Sequence, residues 1–164
     1  MHKSDIMTFA ASVYEENQVL ELEHAVDYAT KHHHGQKRKS GAAYITHPLA
    51  VAYNLIDWGM DVDTVLAGVL HDTVEDTVMS LEALRAAGFT SEVVDAIEAL
   101  TKQKNEVYFD YINRVSQNPI AICVKLADLE DNMDPSQLNV FTQKEADRTE
   151  KYHRVYNFLR GIKQ

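Results

Sequence analysis

The chain has 164 residues, 45% of them apolar and 25% charged, and a net charge of -9 at pH 7. That is the size of one ordinary domain with a single core, and the negative charge argues against nucleic-acid binding because polyanions are repelled at long range. The longest apolar runs, Leu66–Leu70 and Ile120–Val124, fall far short of the ~20 residues that cross a bilayer, so no membrane partner is expected, and the single cysteine, Cys123, excludes an internal disulfide framework and points to a cytoplasmic setting.

Residues 1–17 read as an N-terminal leader, polar at its start and so unlike a secretory signal, with a helical turn around Phe9–Glu16. The domain is expected over 18–164. From Val19 to His33, apolar residues at Leu22, Ala25, Val26 and Ala29 have the spacing of a helix with one buried face, and Gly35 ends it. His32 and His34 put favourable charge at that helix's C-terminus. Residues 35–46, rich in Gly, Ser and Lys, read as a loop. His47-Pro48 opens a second helix, with Pro in the first turn, running to about Trp58 and stopped by Gly59. Asp61 or Asp63 can cap a third, which carries Val65, Leu66, Val69 and Leu70 and is read as continuing into His71–Asp76. Shorter helices follow over Leu81–Ala87, from a Ser91 cap through Leu100, and over Tyr108–Val115. Pro119 starts another through Leu129, and a last one spans about Gln143–Ile162. No segment alternates as a strand does. The expectation is an all-α fold, one compact multi-helix bundle.

The chemistry-bearing residues stand out against this apolar pattern. The third helix suddenly carries a His and three carboxylates, in His71-Asp72-Thr73-Val74-Glu75-Asp76. Buried charges need partners or a metal. On a continuing helix, His71 and Glu75 share a face, as do Asp72 and Asp76, so one pair can hold a metal while the other stands over a substrate. His47, at the entrance of the second helix, and Asp128, a lone carboxylate after an apolar run, fit the same plan, and Asn132 lies one turn beyond Asp128. Two imidazoles and two carboxylates suit Mn, Fe or Zn better than calcium, which prefers all-oxygen sites. Such an ion polarises a phosphoryl oxygen and acidifies a water, Glu75 or Asp76 positions that water or takes its proton, and cations of the loop Lys37-Arg38-Lys39 balance phosphate charge.

The order His47, His71-Asp72, Asp128 resembles the HD-domain metal-dependent phosphohydrolases. The longer strings HHGQKRKSGAAYITHPLAVA, VLAGVLHDTVEDT and VKLADLEDNM resemble the hydrolase domain of RelA/SpoT-type alarmone enzymes and their small stand-alone relatives, over about residues 20–135. The resemblance implies His47, His71, Asp72 and Asp128 as metal ligands, with Mn the ion. It implies Glu75 and Asp76 as the catalytic, water-activating pair. It places Arg38 and Lys39 against the nucleotide base and phosphates, with Ser40 beside them and Asn132 lining the pocket. The implied reaction removes the 3′-diphosphate from guanosine 3′,5′-bis(diphosphate), and the implied partner is a small phosphorylated nucleotide.

The chain departs from the family pattern at two places. Ala42-Ala43 replaces a Glu-Pro, and Leu129-Glu130-Asp131-Asn132 replaces Arg-Leu-His-Asn. The added acid bears on nucleotide specificity more than on metal or hydrolysis. Two alternatives therefore stand beside the alarmone reading. One is hydrolysis of another nucleotide, such as a nucleoside monophosphate or NADPH; the other is a nucleotide sensor without turnover. The retained Glu75 and Asp76 argue against the sensor. No synthetase or regulatory domain is expected, the chain ending at Gln164.

Overall fold

The computed structural model describes residues 1–74 and 80–163. Among them the structure is all-α, with one isolated antiparallel bridge between Lys37 and Ala43. The helices are α1 (Lys3–Ala11), α2 (Glu16–His32), α3 (Thr46–Asp57), α4 (Val62–Leu70), α5 (Leu81–Ala86), α6 (Ser91–Leu100), α7 (Tyr108–Val115), α8 (Pro119–Met133) and α9 (Gln143–Lys163), with a 3-10 turn over Pro135–Gln137.

The sequence of α4 explains why it lies at the centre. Apart from Asp63, every residue from Val62 to Leu70 is buried, as expected of a helix enclosed on all sides. It packs against α2, α3, α6 and α8. Asp61 caps it, its side chain accepting from Thr64 N at 2.9 Å. Gly68 permits the close approach of α3, since a Cβ there would lie 2.5 Å from Leu55 Cδ1 and 3.3 Å from Val51 Cγ1.

Three corrections concern local structure. Residues 1–17, read as a leader, carry more helix than a turn at Phe9–Glu16. They hold α1 and the start of α2, and α1 buries Ile6 and Ala10 completely against α2 and α3. These two residues are one turn apart, so even a short helix presents them together. Thr90, not Ser91, caps α6, accepting from Val93 N.

The third correction bears on the site. α4 ends at Leu70, and residues 71–74 form turns. The cause is local: His71 Nδ1 lies 2.7 Å from the Gly68 carbonyl oxygen, and Thr73 donates its hydroxyl to the Leu70 carbonyl at 2.7 Å. These side chains take up carbonyls that a further helical turn would have used. The shared-face pairing of 71 with 75 and 72 with 76 therefore does not follow from a continued helix, and Glu75 and Asp76 lie outside the described residues.

Candidate metal centre and cationic cleft

Three segments converge beyond the C-terminal end of α4. α3 brings His47 in its first turn, the turn after α4 brings His71 and Asp72, and α8 brings Asp128. One potential ligand atom from each of His47, His71 and Asp72 lies within 4.8 Å of the others. Asp72 Oδ2 is 3.5 Å from His47 Nε2 and 3.2 Å from His71 Nε2. Asp128 Oδ1 reaches the same two nitrogens, at 3.1 Å and 3.7 Å. The four residues expected as ligands thus stand together.

What surrounds them fixes their orientation. His47 Nδ1 is 2.6 Å from Asp131 Oδ2, and His71 Nδ1 is 2.7 Å from the Gly68 carbonyl. Both partners only accept, so in the neutral ring each Nδ1 keeps its proton and each Nε2 offers a lone pair to the cluster. Asp72 Oδ2 accepts from the Tyr44 hydroxyl at 2.7 Å. Asp128 accepts from Lys125 Nζ at 2.7 Å on one oxygen and from Asn132 Nδ2 at 2.6 Å on the other. Lys125 sits over the Tyr111 ring, 5.4 Å from its centroid.

The cluster attracts positive charge. Burial pulls the His47 pKa down, but Asp128 and Asp131 outweigh it and hold it at about 9. His71 behaves likewise: burial lowers it, and Asp72 with Asp128 raises it well above its ordinary value. Burial pushes Asp72 up while His71 and His47 draw it far below the usual carboxylate range, and Asp128 is drawn down by Lys125 and the two histidines. His71 Nε2 is buried and faces the Asp72 and Asp128 carboxylates without a well-aligned hydrogen bond to either. A buried ring nitrogen of this kind is costly unless something binds it. A divalent cation among two imidazoles and two carboxylates answers both features, so the donor set fits a metal.

Beside the cluster lies a cleft of about 210 Å³, lined by Lys37, Arg38, Lys39, His47, Asn132 and Arg148 among others. His47 borders both the donor cluster and the cleft. Ser40 is not among the lining residues; its Oγ accepts from Ala42 N within the loop. Three of these cations have carboxylate partners. Arg38 donates to Asp131 Oδ2 at 2.7 Å, Lys39 to Glu145 Oε1 at 2.7 Å, and Arg148 lies 2.6 Å from Glu145 Oε2. Tyr44, Glu145 and Arg148 carry no role in the sequence reading, Asp131 enters it only as part of the added acid, and Lys125 has none assigned. Spacing signals Lys125, which lies three residues before Asp128. Arg148 and Glu145 carry no signal, because they sit on a helix that is polar over most of its surface.

The HD domain family matches residues 25–133. A GTP pyrophosphokinase of Streptomyces coelicolor is 41% identical over 127 residues, which cover 73% of this chain and 15% of that protein. A guanosine-3′,5′-bis(diphosphate) 3′-pyrophosphohydrolase of Aquifex aeolicus is 37% identical over 121 residues, 69% of this chain and 17% of that protein. The chain therefore spans about a sixth of the length of these curated relatives. A solved structure described as a metazoan ortholog of SpoT that hydrolyzes ppGpp superposes with a TM-score of 0.74 at 26% identity, over 91% of this chain and 89% of that one. No helix among the described residues is long and apolar enough to cross a membrane.

Proposed function

Since the chain belongs to the HD domain family, we propose that it is a Mn-dependent pyrophosphohydrolase acting in the cytoplasm on guanosine 3′,5′-bis(diphosphate). The observation that carries this reading is the placement of a His47–His71–Asp72–Asp128 donor set against a cleft lined by Lys37, Arg38, Lys39 and Arg148. Relatives named for this hydrolysis, and a solved structure similar in length and shape, support it.

When bound, the divalent ion supplies Lewis-acid polarisation of a phosphoryl oxygen and a more acidic water. The chain's own residues do the rest. Arg38, Lys39 and Arg148 bring positive charge to the diphosphate. Asn132, held to Asp128, lines the wall where the nucleotide lies. Glu75 or Asp76 takes the proton of the attacking water. The water oxygen bonds to the phosphorus next to the ribose as the bond from that phosphorus to the 3′ oxygen breaks. The 3′ oxygen gains a proton, giving GDP and pyrophosphate.

The acidic Glu130-Asp131 pair was the reason to consider a different nucleotide. Neither lines the cationic cleft. Glu130 borders a separate cleft with Asp57, Trp58 and Asp134, and Asp131 Oδ2 is engaged by Arg38 and His47. Their placement outside the cleft lining supports the alarmone reading over a different nucleotide. The decisive experiment is a nucleotide panel with Mn, Mg, Zn and Fe, following pyrophosphate and phosphate release. Guanosine 3′,5′-bis(diphosphate) with Mn is expected to give the highest kcat/KM. No turnover of it by Mn-loaded protein, or a higher kcat/KM for a nucleoside monophosphate or NADPH, overturns the assignment.

A further inference from the structure

We propose that Asp131 is a positioning residue that joins the metal centre to the substrate loop, orienting the His47 imidazole and anchoring the Arg38 guanidinium through one carboxylate oxygen. The inference rests on the hydrolase reading above. It concerns a residue that departs from the family pattern and that neither ligates nor lines the cationic cleft.

The geometry is unambiguous. Asp131 Oδ2 is 2.6 Å from His47 Nδ1 and 2.7 Å from an Arg38 terminal nitrogen. The side chains of His47, Asp131 and Arg38 are 3%, 8% and 9% exposed. The donors come from different parts of the chain, 84 and 93 residues away from Asp131. One oxygen accepting both fixes α3 and the 35–45 loop against α8 at a single point.

The loop closes on itself without this contact. Arg38 N donates to the Ala42 carbonyl at 2.8 Å, Gly41 N donates to the Arg38 carbonyl at 2.9 Å, and Gly41 takes a φ of 89° to make the turn. These bonds shape the loop but do not attach it to the bundle. A second ion pair, Lys39 with Glu145, has its lysine 54% exposed, and pairs at that exposure hold little. The buried Arg38–Asp131 pair is therefore the stronger of these two attachments. Without it, a guanidinium almost excluded from water has no counter-charge and moves outward.

The same oxygen acts on the metal side. A carboxylate on Nδ1 keeps the proton there, leaves Nε2 free for the ion and stops the ring from rotating. Asp131 thus serves both metal affinity and nucleotide affinity, whereas Arg38 serves only the nucleotide. That asymmetry is the test.

Mn²⁺ binding is measured by calorimetric titration without nucleotide, and KM for guanosine 3′,5′-bis(diphosphate) is measured separately. Asp131→Asn keeps the shape and loses the charge. It is expected to weaken Mn²⁺ binding by about tenfold or more, as losing such outer partners does, and to raise KM at saturating Mn²⁺. Asp131→Glu restores the carboxylate and is expected to recover part of both. Arg38→Ala is expected to raise KM while leaving the Mn²⁺ Kd within about threefold of the native value, because the carboxylate stays on His47. Folded Asp131→Asn protein that binds Mn²⁺ as tightly as the native chain overturns the inference and leaves the hydrolase assignment standing. Should Asp131→Asn not fold, Arg38→Ala decides: loss of Mn²⁺ binding on removing Arg38 also overturns it. A native chain that takes up no Mn²⁺ removes the hydrolase assignment itself.

Discussion

Lys125 is a cation the protein itself supplies to the His–Asp donor cluster, and replacing it by methionine isolates that contribution. Its ammonium is 2.7 Å from Asp128 Oδ2 and its side chain is 13% exposed. Burial opposes its charge, yet Asp128 and the neighbouring tyrosines hold its pKa well above the ordinary value. Lys125→Met keeps the length of the chain and leaves Asp128 without its ammonium. Breaking a buried pair on one side costs about 3–5 kcal/mol. Two imidazole nitrogens, at 3.1 Å and 3.7 Å, still face the other Asp128 oxygen, so the lower end, about 3 kcal/mol, is expected. At this chain length each kcal/mol moves Tm by about 2–4 °C, so chelator-treated Lys125→Met protein should melt roughly 6–12 °C below the native chain. A divalent ion replaces the missing charge, and removing a nearby cation favours its binding. Saturating Mn²⁺ should therefore raise the Tm of the variant more than that of the native protein. The assay is thermal unfolding followed by circular dichroism, in EDTA and in excess Mn²⁺. A variant within about 2 °C of native in EDTA, where more than about 6 °C is expected, or equal Mn²⁺ shifts for both proteins, refutes the reasoning.

Three further outcomes are expected. Gly68→Ala places a Cβ 2.5 Å from Leu55 Cδ1, and Leu55 is fully buried, so overpacking should cost about 1–3 kcal/mol in urea unfolding; an unchanged midpoint contradicts the contact. Tyr44→Phe removes the hydroxyl that holds Asp72 Oδ2 and should weaken Mn²⁺ binding by about tenfold with little change in Tm, read by titration and melting. The third concerns pH. His47 is raised from 6.5 to about 9, so its share of stability is complete below pH 6.5 and is lost as pH rises through about 9. Asp72 and Asp128 are depressed from 3.8, so their share is present above pH 3.8 and is lost at lower pH. Urea unfolding of chelator-treated protein should therefore show greater stability at pH 6 than at pH 9; the reverse order contradicts the sign.

The helices were legible where burial is one-sided or complete. Leu22, Ala25, Val26 and Ala29 mark one face of α2, and all four are buried. The run Val65–Leu70 marks a helix enclosed all round. Two boundaries were not legible, for different reasons. α1 is only nine residues long and begins among polar ones, so its buried Ile6 and Ala10 give too little periodicity to identify. The end of α4 is set by His71 and Thr73 side chains bonding back to helix carbonyls. Both residues are compatible with a helix, and only their rotamers show that they stop it.

The site divides along the same line. His47, His71 and Asp128 are each at most 4% exposed. A polar residue on an otherwise apolar face needs a reason, and a sequence shows that mismatch directly. Their supporting residues show no mismatch. Tyr44 and Arg38 lie in a polar loop, Asp131 follows the acidic Glu130, and Glu145 and Arg148 sit on a helix rich in charge. Nothing in one dimension distinguishes a loop arginine in water from one fastened to a carboxylate 93 residues away. The proposed ligands stand out in the sequence because buried polar residues are conspicuous. Most residues that orient them do not, because their function depends on partners that only the folded chain brings within reach.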